Sequence, residues 1–173
     1  SLPNQFAAEA ACLSLQNGLH VFCEKPPART HAELLEVEKK SLKFPELKLM
    51  YGFNHRFHLS VEEAKLLIDS NSLGRLINMK GVYGKSQMIS FNQTDWRTNR
   101  EASGGGILLD QGIHMLDLMR YLSGENFTEV FSIIDNAFWN FDVEDNAYVL
   151  MKSPKGLVSQ LHSSATQWRH VFN

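Results

Sequence analysis

GGGILLDQGIHMLDLMRYLSG, Gly104 to Gly124, runs three glycines into a segment that is apolar on nearly every side. Leu108, Leu109, Ile113, Met115, Leu116, Leu118, Met119 and Leu122 are interrupted by Asp110, His114 and Asp117. With about 3.6 residues per turn, offsets of four and three bring those polar residues onto one face. A helix this apolar is buried, and burying a carboxylate near an imidazole is costly unless the two are paired or used. The stretch therefore predicts a core helix with a polar stripe, and two readings of the stripe stand open. Asp110 can fix the tautomer of a general base at His114. Alternatively the two form a buried ion pair or cap, the carboxylate complementing the positive end of the helix. The glycines bear on this choice because they let a backbone or a ligand approach closely. Asp117, deeper in the helix, reads as structural and salt-bridged.

Working downstream, TEVFSIIDNAF, NAYVLMK and GLVSQLHSSA read as three strands from Thr128 onward, the last two joined at Ser153-Pro154-Lys155-Gly156 by a hairpin turn. Phe131, Ile133, Phe138, Trp139, Val149, Met151, Val158 and Leu161 are more apolar surface than one helical layer hides, so a second copy of the chain is expected to cover the sheet. The acidic group Asp142, Glu144 and Asp145 lacks the glycine and ligand pattern of a calcium loop and reads as a solvated turn. The chain ends on Gln167-Trp168-Arg169-His170 and a few more residues with no evident closing element.

Working upstream, Phe6 to Gln16 is an alanine-rich helix stopped by Asn17-Gly18. HVFC (His20 to Cys23) looks like a buried parallel strand, ended by Glu24-Lys25-Pro26-Pro27 because proline cannot continue a ladder. Thr30 with Glu33 predicts a capping box for a helix to about Lys40. Leu47 to Phe53 and Leu76 to Tyr83 read as strands, Val61 to Ser70 as a helix, and Gly84 to Ser103 as a long polar stretch. The order implies the tail of one α/β unit joined to an α+β domain with a large, mostly antiparallel open sheet. A parallel strand needs neighbours, so the chain reads as cut at its start, and no G-x-G-x-x-G occurs in it.

The 173 residues are 43% hydrophobic and 21% charged with a net charge of −2, which suits one sizeable globular core and gives no electrostatic case for nucleic acid or an anionic membrane. No apolar run approaches the ~20 residues of a membrane span. Cys12 and Cys23 have no disulfide or zinc spacing and suit a reducing cytoplasm. Lys25 stands just past the C-terminal end of a parallel strand, where open α/β sheets bind ligands, or is a solvated loop lysine. Asp95-Trp96-Arg97 can stack on and fork around a polyol or carboxylate, or form a plain surface loop. Asn54-His55-Arg56-Phe57 supplies ligand-binding polar groups or a satisfied turn. His55, His58, His162 and His170 lack metal-ligand spacing and read as structural, so no metal site is expected.

Pro3-Asn4, GLHVFCEKP (Gly18 to Pro26), GFNHRF (Gly52 to Phe57), Leu73-Gly74, GGGILLDQGIHMLDL (Gly104 to Leu118) and Val143-Glu144-Asp145, in this order, resemble the Gfo/Idh/MocA family of oxidoreductases. The likeness covers essentially the whole chain. It implies an N-terminal Rossmann domain holding NAD or NADP and a C-terminal α/β domain whose open sheet forms the substrate pocket and a subunit interface. Residues 1–26 would then be a Rossmann remnant and 27–173 the substrate-binding and dimerisation domain. The resemblance assigns Lys25, Asp110 and His114 to catalysis: His114 as general base, Asp110 orienting it, Lys25 holding the substrate hydroxyl. Asn54, Arg56, Trp96 and Arg97 are expected on the substrate, a sugar, sugar nucleotide or cyclitol, and Asn4, Glu24 and Lys25 on the cofactor. Family members often carry histidine three residues after the Pro-Asn; here Ala7 stands there. Two other functions stay open: a non-catalytic carbohydrate-binding or scaffold domain on the same fold, and metal-assisted hydrolysis at Asp110 and His114, which lacks an evident third ligand.

Overall fold

Small side chains let the first helix pack closely. In the computed structural model, which describes residues 2–87 and 95–173, helix α1 (Ala7–Gln16) buries Ala7, Ala11 and Leu15, and Gly18 at φ +74° turns the chain away after it. Strand β1 (Val21–Cys23), helix α2 (His31–Ser41) and strand β2 (Leu49–Tyr51) follow. β2 returns parallel to β1, Val21 beside Leu49 and Cys23 beside Tyr51, the arrangement a helical crossover permits. Thr30 caps α2 by accepting from the Glu33 amide at 3.2 Å. The Glu33 carboxylate reaches back to the Arg29 amide at 2.9 Å, one residue before the cap, and also grips the Arg29 guanidinium, so the expected box is shifted by one position. α2 and β2 thus share a layer with α1 and β1, although the proline pair after Lys25 suggests a boundary there.

Helix α3 (Leu59–Asp69) leads into β3 (Asn78–Gly84), a strand of a second sheet ordered β4-β5-β6-β3-β7. Its other strands are β4 (Glu129–Asp135), β5 (Asn146–Lys152), β6 (Val158–Ser164) and β7 (Val171–Phe172). Among the described residues β3 runs parallel to β6 and every other pairing of this sheet is antiparallel, so the sheet is mixed and mostly antiparallel, as the sequence implies. The Ser153–Gly156 turn joins β5 to β6, with the Gly156 amide on the Ser153 carbonyl at 3.0 Å. β7 is a closing element that the sequence did not betray: two residues suffice because they pair with Tyr83 and Gly84 at the end of β3. Of the polar stretch Gly84 to Ser103, residues 88–94 lie outside the described residues.

Helix α5 (Ile113–Ser123) covers the sheet, following a short helix α4 (Arg100–Ser103) and a wide π turn over Leu108–Gly112. Met115 and Met119 pack on Val149, Met151 and Leu161, each such side chain contributing about 1.5–3 kcal/mol when fully buried. Gly81 of β3 admits the helix: a Cβ there would lie 2.5 Å from Met115 Cγ. Alternation splits the apolar residues expected to need a partner. Val149, Met151 and Leu161 face α5, while Phe131, Ile133, Phe138 and Val158 stand exposed, as do Tyr148 and Leu150, which the expectation did not include. Trp139 packs instead on a second core of Ile107, Val143 and Ala165 and donates Nε1–H to the Ala165 carbonyl.

The acidic group is a correction, since Glu144 and Asp145 are buried, not solvated. The Asp145 carboxylate accepts from the amides of Ala137, Phe138 and Trp139, which holds its pKa below the usual range against the opposing effect of burial. Asp142 accepts from the Arg100 amide. A run of acids reads as a wet surface only where backbone donors are already satisfied; here the loop after β4 and the start of the central helix supply unsatisfied amides.

Candidate active site

The central helix is held at its start by Glu144. Its carboxylate accepts from the amides of Gly106 (2.9 Å) and Leu108 (3.3 Å), and its carbonyl accepts from the Ile107 amide (3.0 Å). This approach is possible only because Gly106 lacks a side chain, since a Cβ would stand 2.0 Å from the Glu144 carbonyl oxygen. The glycines therefore admit a backbone, one of the two possibilities they raise. With the helix so anchored, the π turn of Leu108–Gly112 swings Asp110 toward the end of β1. Single wide turns of this kind often mark functional positions.

Lys25, just beyond β1, meets it there. The ammonium donates to the Asp110 carbonyl and lies 3.3 Å from Asp110 Oδ1, across 85 residues of sequence. Gln111 Nε2–H donates to the other carboxylate oxygen at 2.7 Å. Burial pushes the Asp110 pKa up, but the nearby Lys25 ammonium, the Gln111 bond and Lys85 outweigh it and hold the group below its ordinary value. Lys85, following β3, has its own pKa lowered by burial, with Lys25 and Arg97 acting the same way against Asp110.

His114 is 5% exposed, and its ring stacks on His55 at 4.3 Å between centroids and 11° between planes. Phe53 meets it edge-on at 6.1 Å, and Tyr83 lies beyond at 6.2 Å. Its Nδ1 is buried with no hydrogen-bond partner among the described residues. Burial first, then Lys25 and His55, push its pKa down to about 4 against the pull of Asp110. The expected hydrogen bond by which Asp110 would orient His114 is therefore not formed. The spacing of four aligns the pair only on a regular α-helix, and the wide turn has spent both carboxylate oxygens on Lys25 and Gln111.

Two clefts flank the Lys25–Asp110 contact. One, of about 380 Å³, is lined by Glu24, Lys25, Asn54, His55, Tyr83 and His114 among others. The other, of about 230 Å³, is lined by Asn4, Glu24, Lys25, Trp96, Arg97 and Asp110 with the chain start. Most residues singled out in the sequence thus converge on two adjoining spaces. Arg56 does not: its guanidinium forks onto the Asp117 carboxylate, Nε–H on Oδ2 at 2.7 Å and the second arm on Oδ1, and lies over Tyr121. That bond fills the fork expected on a substrate, and it supplies the partner that Asp117 needs. Asn4 is buried and donates Nδ2–H to the Ser103 carbonyl at 2.8 Å, so its amide ties the chain start to α4. Arg97 is gripped by Asp95 and lies over the Trp96 ring at 4.5 Å. Sequence reading weighed His55 within Asn54-His55-Arg56-Phe57 but set it down as structural, and it missed Tyr83, Gln111 and Lys85. For Tyr83 and Lys85 the only signal was position, at the end of a strand.

Among the described residues no three His, Cys, Asp or Glu side chains cluster as metal ligands would, and no helix is long and apolar enough to cross a membrane. What the site holds is a lysine donor, a neutral imidazole and a carboxylate anchoring the lysine. Such a set can take a proton from a hydroxyl and stabilise the oxygen left behind.

Comparison with known proteins fits that chemistry. Residues 61–171 match the model of the GFO/IDH/MocA C-terminal domain. The chain is 35% identical over 143 residues to D-glucoside 3-dehydrogenase of Escherichia coli, covering 79% of this chain and 37% of that protein. It is 34% identical to levoglucosan dehydrogenase of Pseudarthrobacter phenanthrenivorans, over 71% of this chain and 32% of that one. A solved levoglucosan dehydrogenase in complex with NADH and levoglucosan superposes with a TM-score of 0.93 at 26% identity, covering 99% of this chain and 49% of that one. The chain therefore spans half or less of the length of these relatives.

Proposed function

The chain belongs to the Gfo/Idh/MocA family of oxidoreductases, and from that premise we propose that it forms the substrate side of an NAD(P)-dependent dehydrogenase acting on a secondary hydroxyl of a sugar or cyclitol. The observation that carries this reading is the convergence of Lys25 and His114 on one cleft, with Asp110 holding Lys25. The nicotinamide, when bound, supplies the hydride acceptor. Glu24 and Lys25 at the end of β1 fit its ribose end, with Trp96 and Arg97 walling the same cleft. The G-x-G-x-x-G fingerprint that takes a pyrophosphate does not occur in the sequence.

His114 takes the substrate hydroxyl proton. A base with so low a pKa is a weak acceptor at rest, but a hydroxyl whose carbon is becoming a carbonyl is a far stronger acid than an imidazolium. Lys25 donates a hydrogen bond to the same oxygen and meets its developing negative charge. Asp110 acts on Lys25, restraining the ammonium in the cleft, and Asn54 offers an amide to the remaining hydroxyls. The pairing of β2 with β1 supports assigning the chain up to about Tyr51, rather than residues 1–26 alone, to the end of a dinucleotide-binding domain. The region matched from residue 61 is then the substrate domain. The exposed outer face of the sheet, centred on Phe131, Ile133, Tyr148 and Leu150, is proposed to seat a second copy.

The test is hydride transfer by an enzyme carrying this sequence at full family length, assayed on sugars and cyclitols through nicotinamide absorbance. His114→Ala is expected to lower kcat by roughly two to four orders of magnitude with dinucleotide affinity nearly unchanged. Loss of dinucleotide binding with unchanged turnover per bound enzyme would move His114 out of the substrate site.

A further inference from the structure

Two polar side chains that line the cleft also lie over the His114 ring, His55 at 4.3 Å and Tyr83 at 6.2 Å between centroids, and His55 is the nearer. Asp110 does not reach the His114 ring with a hydrogen bond, yet that ring has a defined plane. Its broad contact is His55, stacked at 4.3 Å and 11°. His55 is in turn held by Tyr83 at 5.8 Å on a near-parallel plane and by Phe172 edge-on at 4.7 Å. Both histidines have a buried Nδ1 without a partner among the described residues, so neither ring is steered there by a hydrogen bond. We propose that His55 is the positioning residue for His114: laid flat against it, the His55 ring sets the plane of that imidazole and keeps it uncharged at rest. The inference rests on the reading of His114 as the group that exchanges the substrate proton.

Two effects act together. A stacked ring excludes water from one face of the imidazole, and desolvation penalises the imidazolium. The covering group is itself an imidazole, and two imidazolium ions cannot share such a contact without strong repulsion. The other groups facing the pair are accounted for. Lys25 and Lys85 add positive charge near His114, and Asp110 opposes them. His58 meets His55 at 5.2 Å and disfavours its protonation, as do burial and Lys25. Tyr83 is a phenol whose pKa is raised by burial and by Asp110, so it stays neutral. The consequence for the reaction is that an imidazolium formed at His114 is a strong acid with a short life, ready to return its proton to an alkoxide in the reverse direction.

Imidazole nitrogen NMR of the 173-residue chain tests this without any turnover, so its failure is separate from failure of the dehydrogenase reading. In the parent chain His114 is expected to stay neutral down to about pH 4. His55→Ala uncovers the ring, and its midpoint should rise by about one unit or more toward the ordinary histidine range. His55→Phe keeps a flat cover and should leave the midpoint within about half a unit of the parent. His162, on the sheet face away from α5, is the internal reference and should not move. An unchanged His114 midpoint in His55→Ala overturns the proposal. Should that variant fail to fold, His55→Phe decides alone: a parent-like midpoint supports the cover, and a climb to the ordinary range refutes it.

Discussion

Replace Gly106 by alanine and the added methyl must occupy space 2.0 Å from the Glu144 carbonyl oxygen and 2.9 Å from its carbonyl carbon and amide nitrogen. The obstacle is backbone, which cannot swing aside as a side chain can, so the two segments must move apart. Three amides, of Gly106, Ile107 and Leu108, then lose or stretch their bonds to Glu144. A neutral bond contributes about 0.5–1.5 kcal/mol net and one to a charged acceptor about 1.5–3; overpacking strain adds about 1–3. With partial relaxation, a loss of about 3–5 kcal/mol is expected, a large share of a domain's total stability. Gly124→Ala is the control. Gly124 sits at φ +67° with no atom within 4 Å of the place its methyl would take, so only the left-handed backbone is strained, at about 1 kcal/mol. Urea unfolding followed by circular dichroism compares the two. If Gly106→Ala is no worse than Gly124→Ala at an unchanged urea dependence, the Glu144 contact does not anchor the helix as described.

Acidification should weaken the fold through His114. The unfolded ring takes a proton near pH 6.5 and the native one only near about 4, so stability falls as pH drops through that window, by up to about 3 kcal/mol from this site; urea midpoints at pH 7 and 4.5 that shift equally in the parent and in His114→Asn would refute it. The exposed outer sheet face should draw two copies together, and sedimentation showing a clean monomer at micromolar concentration would count against that. The 173-residue chain should bind NAD(H) or NADP(H) negligibly, because the G-x-G-x-x-G fingerprint that takes the pyrophosphate does not occur in its sequence; saturable micromolar binding by calorimetry would contradict this.

What could be read from the residues alone follows a physical division. Periodicity showed the central helix, the three late strands and the Ser153–Gly156 turn, because each is a local pattern of apolar spacing or turn chemistry. Asp110 and His114 stood out because charged and ionisable groups are expensive where the pattern demands burial, and Lys25 by its place just past the end of a parallel strand. The π turn left no such trace, and it decides that Asp110 serves Lys25 instead of His114. His55 was read as structural because stacking across segments has no sequence signature. Glu144 and Asp145 looked wet because a run of acids cannot reveal how many orphan amides surround it. Arg56 looked available for the same reason: its partner, Asp117, lies 61 residues away.

The parallel pairing of β3 with β6 has a kinetic consequence. β4, β5 and β6 are neighbours in sequence and join by antiparallel pairing, so they can assemble soon after collapse. β3 must find β6 across 80 residues, Asn78 opposite Val158, with the central helix threaded between them. Closing so long a loop is entropically slow, and non-local pairing of this kind dominates folding times. Until it happens β6 presents an open edge. Tyr83 and Lys85 are carried into place by β3, so their wall of the cleft waits on that long-range pairing, as the Lys25–Asp110 contact waits on one across 85 residues. The chain thus becomes fully burdened with its costly buried ionisable groups only once the sheet that shelters them has closed.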